Sequence, residues 1–308
     1  MNFKFFLLIV LLVFLFILLL LIWYGEGMRY VNLNGNEKDD LLRLDREYKN
    51  IRRVKSKMGT KVVVSLTTIP DRINKLIPTL SSIYNQSVRV DEIRLNIPYV
   101  SRRGKGYKIP TYFECSEDRN AKLLKRCKYI KVKRVAKDVG PSTKLLPTVR
   151  DEEEDTRIIV IDDDQIYGSC FIEKLVETFE EKKGKVAVTN YGAKFKASSW
   201  DRVSTYGCGG GYVDILFGCG GYILIPKMLP KEVFDYSIAP ESAIYVDDNW
   251  ISGWLRHNNV KIYMMGLKKG TCFFLSQSTL HTLSLSSGPN KNKKHEKIVN
   301  KWFRDLEN

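Results

Sequence analysis

Apolar positions along this chain keep two rhythms. Short apolar or alternating runs at 61–66, 92–97, 129–135 and 158–161 predict strands, and Val186 to Thr189 predicts another. Between them, apolar residues recur three and four apart. Leu76, Leu80 and Ile83 mark a helix over 74–84, with Pro78 tolerated in its first turn. Phe171, Leu175 and Phe179 line a second helix, whose stripe Ile172 and Val176 broaden. Strand, helix and strand in alternation predict an α/β domain with a mostly parallel central sheet flanked by helices. The alternation breaks at Tyr206-Gly207-Cys208-Gly209-Gly210-Gly211. Apolar runs at 212–217 and 221–225 follow, then a helix over 245–256 with Trp250 and Trp254 on one face, and a strand at 260–264.

The chain's ends have a different pattern. Residues 5–23 carry no charge, and a helix of that length, at about 1.5 Å per residue, nears the ~30 Å hydrocarbon thickness of a bilayer. The run exceeds the ~7–15 residue core of a cleaved signal peptide, and Trp23-Tyr24-Gly25-Glu26-Gly27 offers no small-residue cleavage site. Trp23 and Tyr24 suit a membrane interface. Residues 1–25 therefore read as one transmembrane signal anchor. The protein would be single-pass and type II, in an endoplasmic reticulum, Golgi-like or viral membrane. Residues 26–58 read as a polar stem, with a helical patch at 39–54 marked by Leu41, Leu44, Tyr48 and Ile51. The α/β domain is expected over 59–288, and 289–308 as a basic tail or helix.

Charge changes this picture only a little. The 308 residues carry a net +15, from 50 Lys and Arg against 35 Asp and Glu. Nine of the basic residues lie between Arg119 and Lys137 without an acid, a field that attracts phosphates or anionic headgroups, or serves only for solubility. Nucleic acid is not expected, because the chain has neither a recognition helix nor zinc-finger spacing. Six cysteines form no C-x-x-C pair, which excludes a structural zinc site of that type. Cys208 and Cys219 are the first guess at a disulfide, with free thiols as the alternative.

Candidate chemistry centres on Ile161-Asp162-Asp163-Asp164. Four apolar β-formers deliver three carboxylates to a strand end, where open α/β sheets gather their ligands. Adjacent acids there need solvation, hydrogen bonds or a cation. A divalent metal with its phosphates is the predicted occupant, and a solvated acidic turn the competing one. Asp138-Val139-Gly140-Pro141-Ser142-Thr143-Lys144 predicts a turn and a helix start capped by Ser142 or Thr143, either a phosphate seat or an ordinary helix end. Asp247 and Asp248, opening a helix, are explained on spacing alone by its dipole.

Taken together, Thr67-Thr68-Ile69-Pro70-Asp71-Arg72, Gly140 to Lys144, Asp162 to Asp164, Gly218-Cys219-Gly220-Gly221-Tyr222 and Asp247-Asp248-Asn249-Trp250, in that order, resemble the GT-A-fold glycosyltransferases of the family 2 type. The resemblance spans about residues 61 to 285. It implies a Rossmann-related sheet and transfer of one sugar from a nucleotide-sugar donor to a hydroxyl of a glycan, protein or lipid. Asp162 and Asp164 then match a D-x-D motif for Mn²⁺ or Mg²⁺, with Asp163 turned toward donor ribose or sugar. Thr67, Pro70 and Arg72 would seat the nucleoside, and Lys144 a phosphate or the sugar, unless it makes a structural ion pair. Gly220 and Gly221 would lie beneath the sugar, and Trp250 would belong to the acceptor-site helix. Asp248 is the expected base of an inverting reaction, with Asp247 as runner-up. His281 would be a further metal ligand. No Gln-x-x-Arg-Trp run is present, so polymer synthesis is not expected. A nucleotidyltransferase of similar core and an inactive tethered carbohydrate-binding module are the alternatives.

Overall fold

The computed structural model describes residues 13–15, 37–56, 59–115, 127–196, 199–205, 209–266 and 293–307. The expected anchor falls outside these residues apart from 13–15, which are helical and exposed. Among the described residues no helix is long and apolar enough to cross a membrane.

The first described element is a correction. Helix α1 (Glu37–Tyr48) was expected in the stem, yet Leu41, Leu44 and Tyr48 are buried in the main core. Tyr48 Oη accepts the Val90 amide at 3.0 Å, and buried Asp45 accepts Tyr84 Oη and the amides of Lys128 and Tyr129. The spacing of its apolar residues was legible, but which surface they cover is a tertiary fact. Residues 37–56 thus belong to the globular body.

Strand β1 (Val62–Thr67) leads through a 3₁₀ turn into α2 (Ile77–Tyr84), whose proline lies in the first turn, and then into β2 (Glu92–Pro98). Beyond these come β3 (Phe113–Cys115) and β4 (Cys127–Val135). The chain returns through the 3₁₀ helix Gly140–Lys144 and α3 (Leu146–Asp151) to β5 (Arg157–Val160), then α4 (Phe171–Glu181) and β6 (Ala187–Thr189). A second, antiparallel sheet is made of β7 (Gly192–Lys196), β8 (Ser199–Thr205) and β10 (Ile215–Leu216). The last strands are β9 (Gly211–Val213), β11 (Tyr222–Leu224) and β12 (Ile262–Met264), and α5 (Asp247–His257) and α6 (Lys294–Glu307) complete the list.

Among the described residues, nine strands form the large sheet in the order β3-β4-β2-β1-β5-β11-β6-β12-β9. The pairs β3–β4, β4–β2, β2–β1, β1–β5 and β6–β12 are parallel, whereas β11 enters antiparallel to both neighbours and β9 closes the far edge antiparallel. The architecture is therefore α/β with a mostly parallel sheet flanked by helices. Because β1 and β5 are central, Val62, Val63, Val64, Leu66, Ile158, Ile159 and Val160 are all fully buried, as expected of strands covered on both faces. The terminal helix α6 is no loose tail. It docks on α5 by burying Val299 and Phe303, and Phe303 occupies the space that Gly253 leaves.

Candidate functional site

From β1 the chain runs to β2 and β4 on one side, and β5 then lies on the other side of β1. The carboxyl ends of β1 and β5 are thus the point where the winding direction reverses, where ligands of open α/β sheets collect. Two loops leave the sheet there: residues 67–72 after β1 and 161–165 after β5. They are locked together. Asp163, buried, accepts Thr68 Oγ1 at 2.5 Å and Arg72 Nη1 at 2.7 Å, while its carbonyl accepts Thr79 Oγ1 at 3.0 Å. Arg72 also reaches Asp164 Oδ2 at 3.2 Å, and Gln165 Nε2 donates to Asp164 Oδ1 at 3.0 Å. The Asp162 amide donates to Tyr167 Oη at 2.9 Å. Asp162 and Asp164 stay partly open to solvent, with side chains 27% and 16% exposed.

Lys144 joins this acidic turn to a second one. Its ammonium lies 2.6 Å from Asp162 Oδ1 and 2.8 Å from Asp247 Oδ2, at the first residue of α5. The lysine is held from behind by Ser65 Oγ, which donates to its carbonyl at 2.5 Å and contacts Thr148 Oγ1 at 2.7 Å, with Asn96 Nδ2 donating to both hydroxyls. Gly218 closes the front: its amide donates to Asp248 Oδ1 at 2.8 Å, and a Cβ on it would stand 2.3 Å from Lys144 Nζ. Two acid pairs from distant parts of the sequence thereby become one site.

The electrostatics are those of crowded carboxylates. Asp162, Asp163, Asp164, Asp247 and Asp248 converge on the cations Lys144 and Arg72. Burial, with Asp247 beside it, pushes Asp248 well above the usual carboxylate range against the pull of Lys144. Burial likewise lifts Asp163 to about 6, opposed by Arg72. Burial alone would favour deprotonation of Lys144, but Asp162, Asp247 and Asp248 outweigh it and hold the ammonium charged. Tyr222 Oη is fully buried, within electrostatic reach of Lys144, Asp247, Asp248 and Asp162, and without a hydrogen-bond partner. Such an unpaired buried hydroxyl is uncommon in a folded chain and lies beside the acid cluster.

Among the described residues no three His, Cys, Asp or Glu converge as a ready-made metal cage. The donor set instead fits an open site. Asp162 has only Oδ1 engaged, by Lys144, whereas Asp164 has Oδ1 engaged by Gln165 and Oδ2 by Arg72, and one or two hard carboxylates with substrate phosphates and water are how Mg²⁺-type ions are commonly held. Asp162 and Asp164 are the residues that would hold the ion.

Several expected roles change. Trp250 is fully buried, donates from Nε1 to the Val233 carbonyl at 2.9 Å and stacks on Tyr236, so it is core and not an acceptor platform. Gly220 and Gly221 do not clear space for a sugar: their missing side chains admit Tyr191 and Phe171, and Gly221 adopts φ 72°. Asp163 is turned inward as the clamp of the 67–72 loop, not toward a ribose. Lys144 is in neither an α-helical first turn nor a capped one: the 3₁₀ helix carries no side-chain cap, and Thr143 Oγ1 accepts the Val139 amide. Thr67 donates to the Asn96 carbonyl at 2.7 Å, which orders the loop, and Pro70 lies half-buried within it. Cys219 is a free thiol, and Cys208, its expected partner, lies outside the described residues. His281 lies outside the described residues.

Sequence reasoning overlooked Thr68, Thr79, Ser65, Asn96 and Thr148. Ser65 did leave a signal, as a polar residue inside the apolar run of β1, whereas Asn96 alternates with Glu92 and Arg94 in β2 and does not stand out. No protein-family model matches the chain, and no curated protein matches it.

Proposed function

We propose that this chain is a metal-dependent glycosyltransferase of the GT-A type, moving one sugar from a nucleotide-sugar donor to an acceptor hydroxyl of a glycan, protein or lipid. The observation that carries the reading is the union of two acid pairs at the β1–β5 switch point, Asp162 with Asp164 and Asp247 with Asp248, bridged by one buried lysine. Asp162 and Asp164 would hold Mn²⁺ or Mg²⁺, whose charge, when bound, stabilises the departing diphosphate. The loop 67–72, clamped through Asp163, borders the same site and is suited to the nucleoside.

Asp248 is the better base of the two. Asp247 faces Lys144 across an ion pair, while Asp248 accepts the Gly218 amide through one oxygen and has its proton affinity raised by burial. In the reaction the acceptor O–H proton passes to the Asp248 carboxylate. The acceptor oxygen bonds to the anomeric carbon as the bond to the diphosphate breaks, and nucleoside diphosphate leaves. Attack opposite the leaving group would invert the anomeric centre. The uncharged run at 5–23 supports a membrane-tethered enzyme.

The test is product analysis with a nucleotide-sugar panel and Mn²⁺. Asp248→Asn should keep nucleotide binding and lose transfer by about 100-fold or more. A variant working at near the parental rate would reject the base, and release of pyrophosphate would identify a nucleotidyltransferase instead.

A further inference from the structure

Lys144 is placed with more care than a simple salt bridge requires. Its side chain is 6% exposed, and burying an ammonium is costly unless it is fully paired. Ser65, Thr148 and Asn96 fix its backbone, and Gly218 lacks the one atom that would collide with its Nζ. The result is a single positive charge resting against Asp162 Oδ1 and Asp247 Oδ2, beside the carboxylates that would hold a divalent ion. Arg72 and Gln165 likewise occupy Asp164. An incoming cation meets carboxylates that are already partly neutralised, and like charges this close repel.

We propose that Lys144 is a resident counter-ion that weakens the site's hold on a free divalent cation, so that the metal is retained only together with a diphosphate whose negative charge offsets the ammonium. The proposal rests on the functional reading above and deepens it: the ligand taken is a metal–nucleoside diphosphate pair.

The experiment follows the free Mn²⁺ paramagnetic resonance signal as the full chain is titrated, alone and with UDP, GDP or ADP. Wild type should bind Mn²⁺ at least about ten-fold tighter with its diphosphate than without. Lys144→Met should tighten binding of Mn²⁺ alone by about ten-fold or more and shrink the diphosphate's enhancement by a similar factor. Lys144→Arg, which keeps the charge, should stay within about three-fold of wild type for Mn²⁺ alone. If Lys144→Met does not fold, Gly218→Ala provides the same test, since its Cβ pushes the ammonium off Asp162 while keeping the charge in the chain. Unchanged or weaker binding of free Mn²⁺ in a folded Lys144→Met or Gly218→Ala, with diphosphate still recruiting Mn²⁺ to wild type, would overturn the counter-ion role and leave the functional reading standing. Absence of Mn²⁺ uptake by wild type under every condition would overturn both.

Discussion

Gly218 and Gly221, three residues apart, avoid different collisions and predict different outcomes on substitution. A methyl at Gly218 meets the flexible end of Lys144, which can swing aside. Gly218→Ala should therefore cost less stability than Gly221→Ala, its cost arising from the displaced ion pair and not from backbone strain. At Gly221 the methyl would stand 2.4 Å from Phe171 Cζ on a backbone with φ 72°. Gly221→Ala should cost about 2–4 kcal/mol. Chemical denaturation of both variants checks the contrast, and equal losses would contradict it. The same pair shows what the sequence withheld at this scale. The glycine-rich segment was legible as a place of close approach, but whether a ligand or a side chain approaches depends on Lys144, Tyr191 and Phe171, which come from elsewhere in the chain. Trp250 was misjudged for the same reason: its neighbours Tyr236 and Trp302 are supplied by distant elements.

Elements were the more readable scale. Strands β1, β2, β4 and β5 and helices α2 and α4 fall within a few residues of where apolar periodicity puts them, because each satisfies its own pattern on a face the sheet provides. What pattern could not reveal was direction and docking: β11 inserts antiparallel beside β5, and α1 and α6 attach to the body. Helix α6 gives a sharp test. Gly253→Ala in an ordinary helix interior would stabilise by about 1 kcal/mol, but here the new methyl would lie 2.1 Å from Phe303 Cε2. The variant should instead be destabilised by about 1–3 kcal/mol as α6 loosens from α5. Thermal melts and limited proteolysis near residue 293 would show it, and a rise in melting temperature would refute the docking described.

Among the described residues, paired charges gather at both ends of the central strands. The carboxyl ends of the strands hold the crowded acids, while near their amino ends Lys61, Glu92, Arg94 and Glu152 form a paired network and Asp91 links Arg53 to the Val62 amide. Burial alone would raise Asp91, but the Arg53 fork and the Val62 amide outweigh it and hold its carboxyl below the ordinary value. Its stabilisation is present above that ordinary value and is lost as pH falls through the lowered one. Asp91→Asn should cost about 1–3 kcal/mol at neutral pH, a difference that narrows as pH falls below the ordinary carboxylate value and through the lowered one. Asp163, lifted to about 6, works oppositely: its contribution is complete below the ordinary carboxylate value and fades as pH rises through about 6. Denaturation of wild type and Asp91→Asn across this range decides the first point, and a constant difference would contradict it.

The central claim is that Asp162 and Asp164 hold a divalent ion against a nucleotide diphosphate. Calorimetric titration of wild type and Asp164→Ala with nucleotide sugars, with and without Mn²⁺, tests it most directly. One nucleotide should bind wild type only when Mn²⁺ is present, and Asp164→Ala should lose that binding by about 100-fold or more. Binding that ignores both the metal and the substitution, or no nucleotide binding at all, would contradict the account.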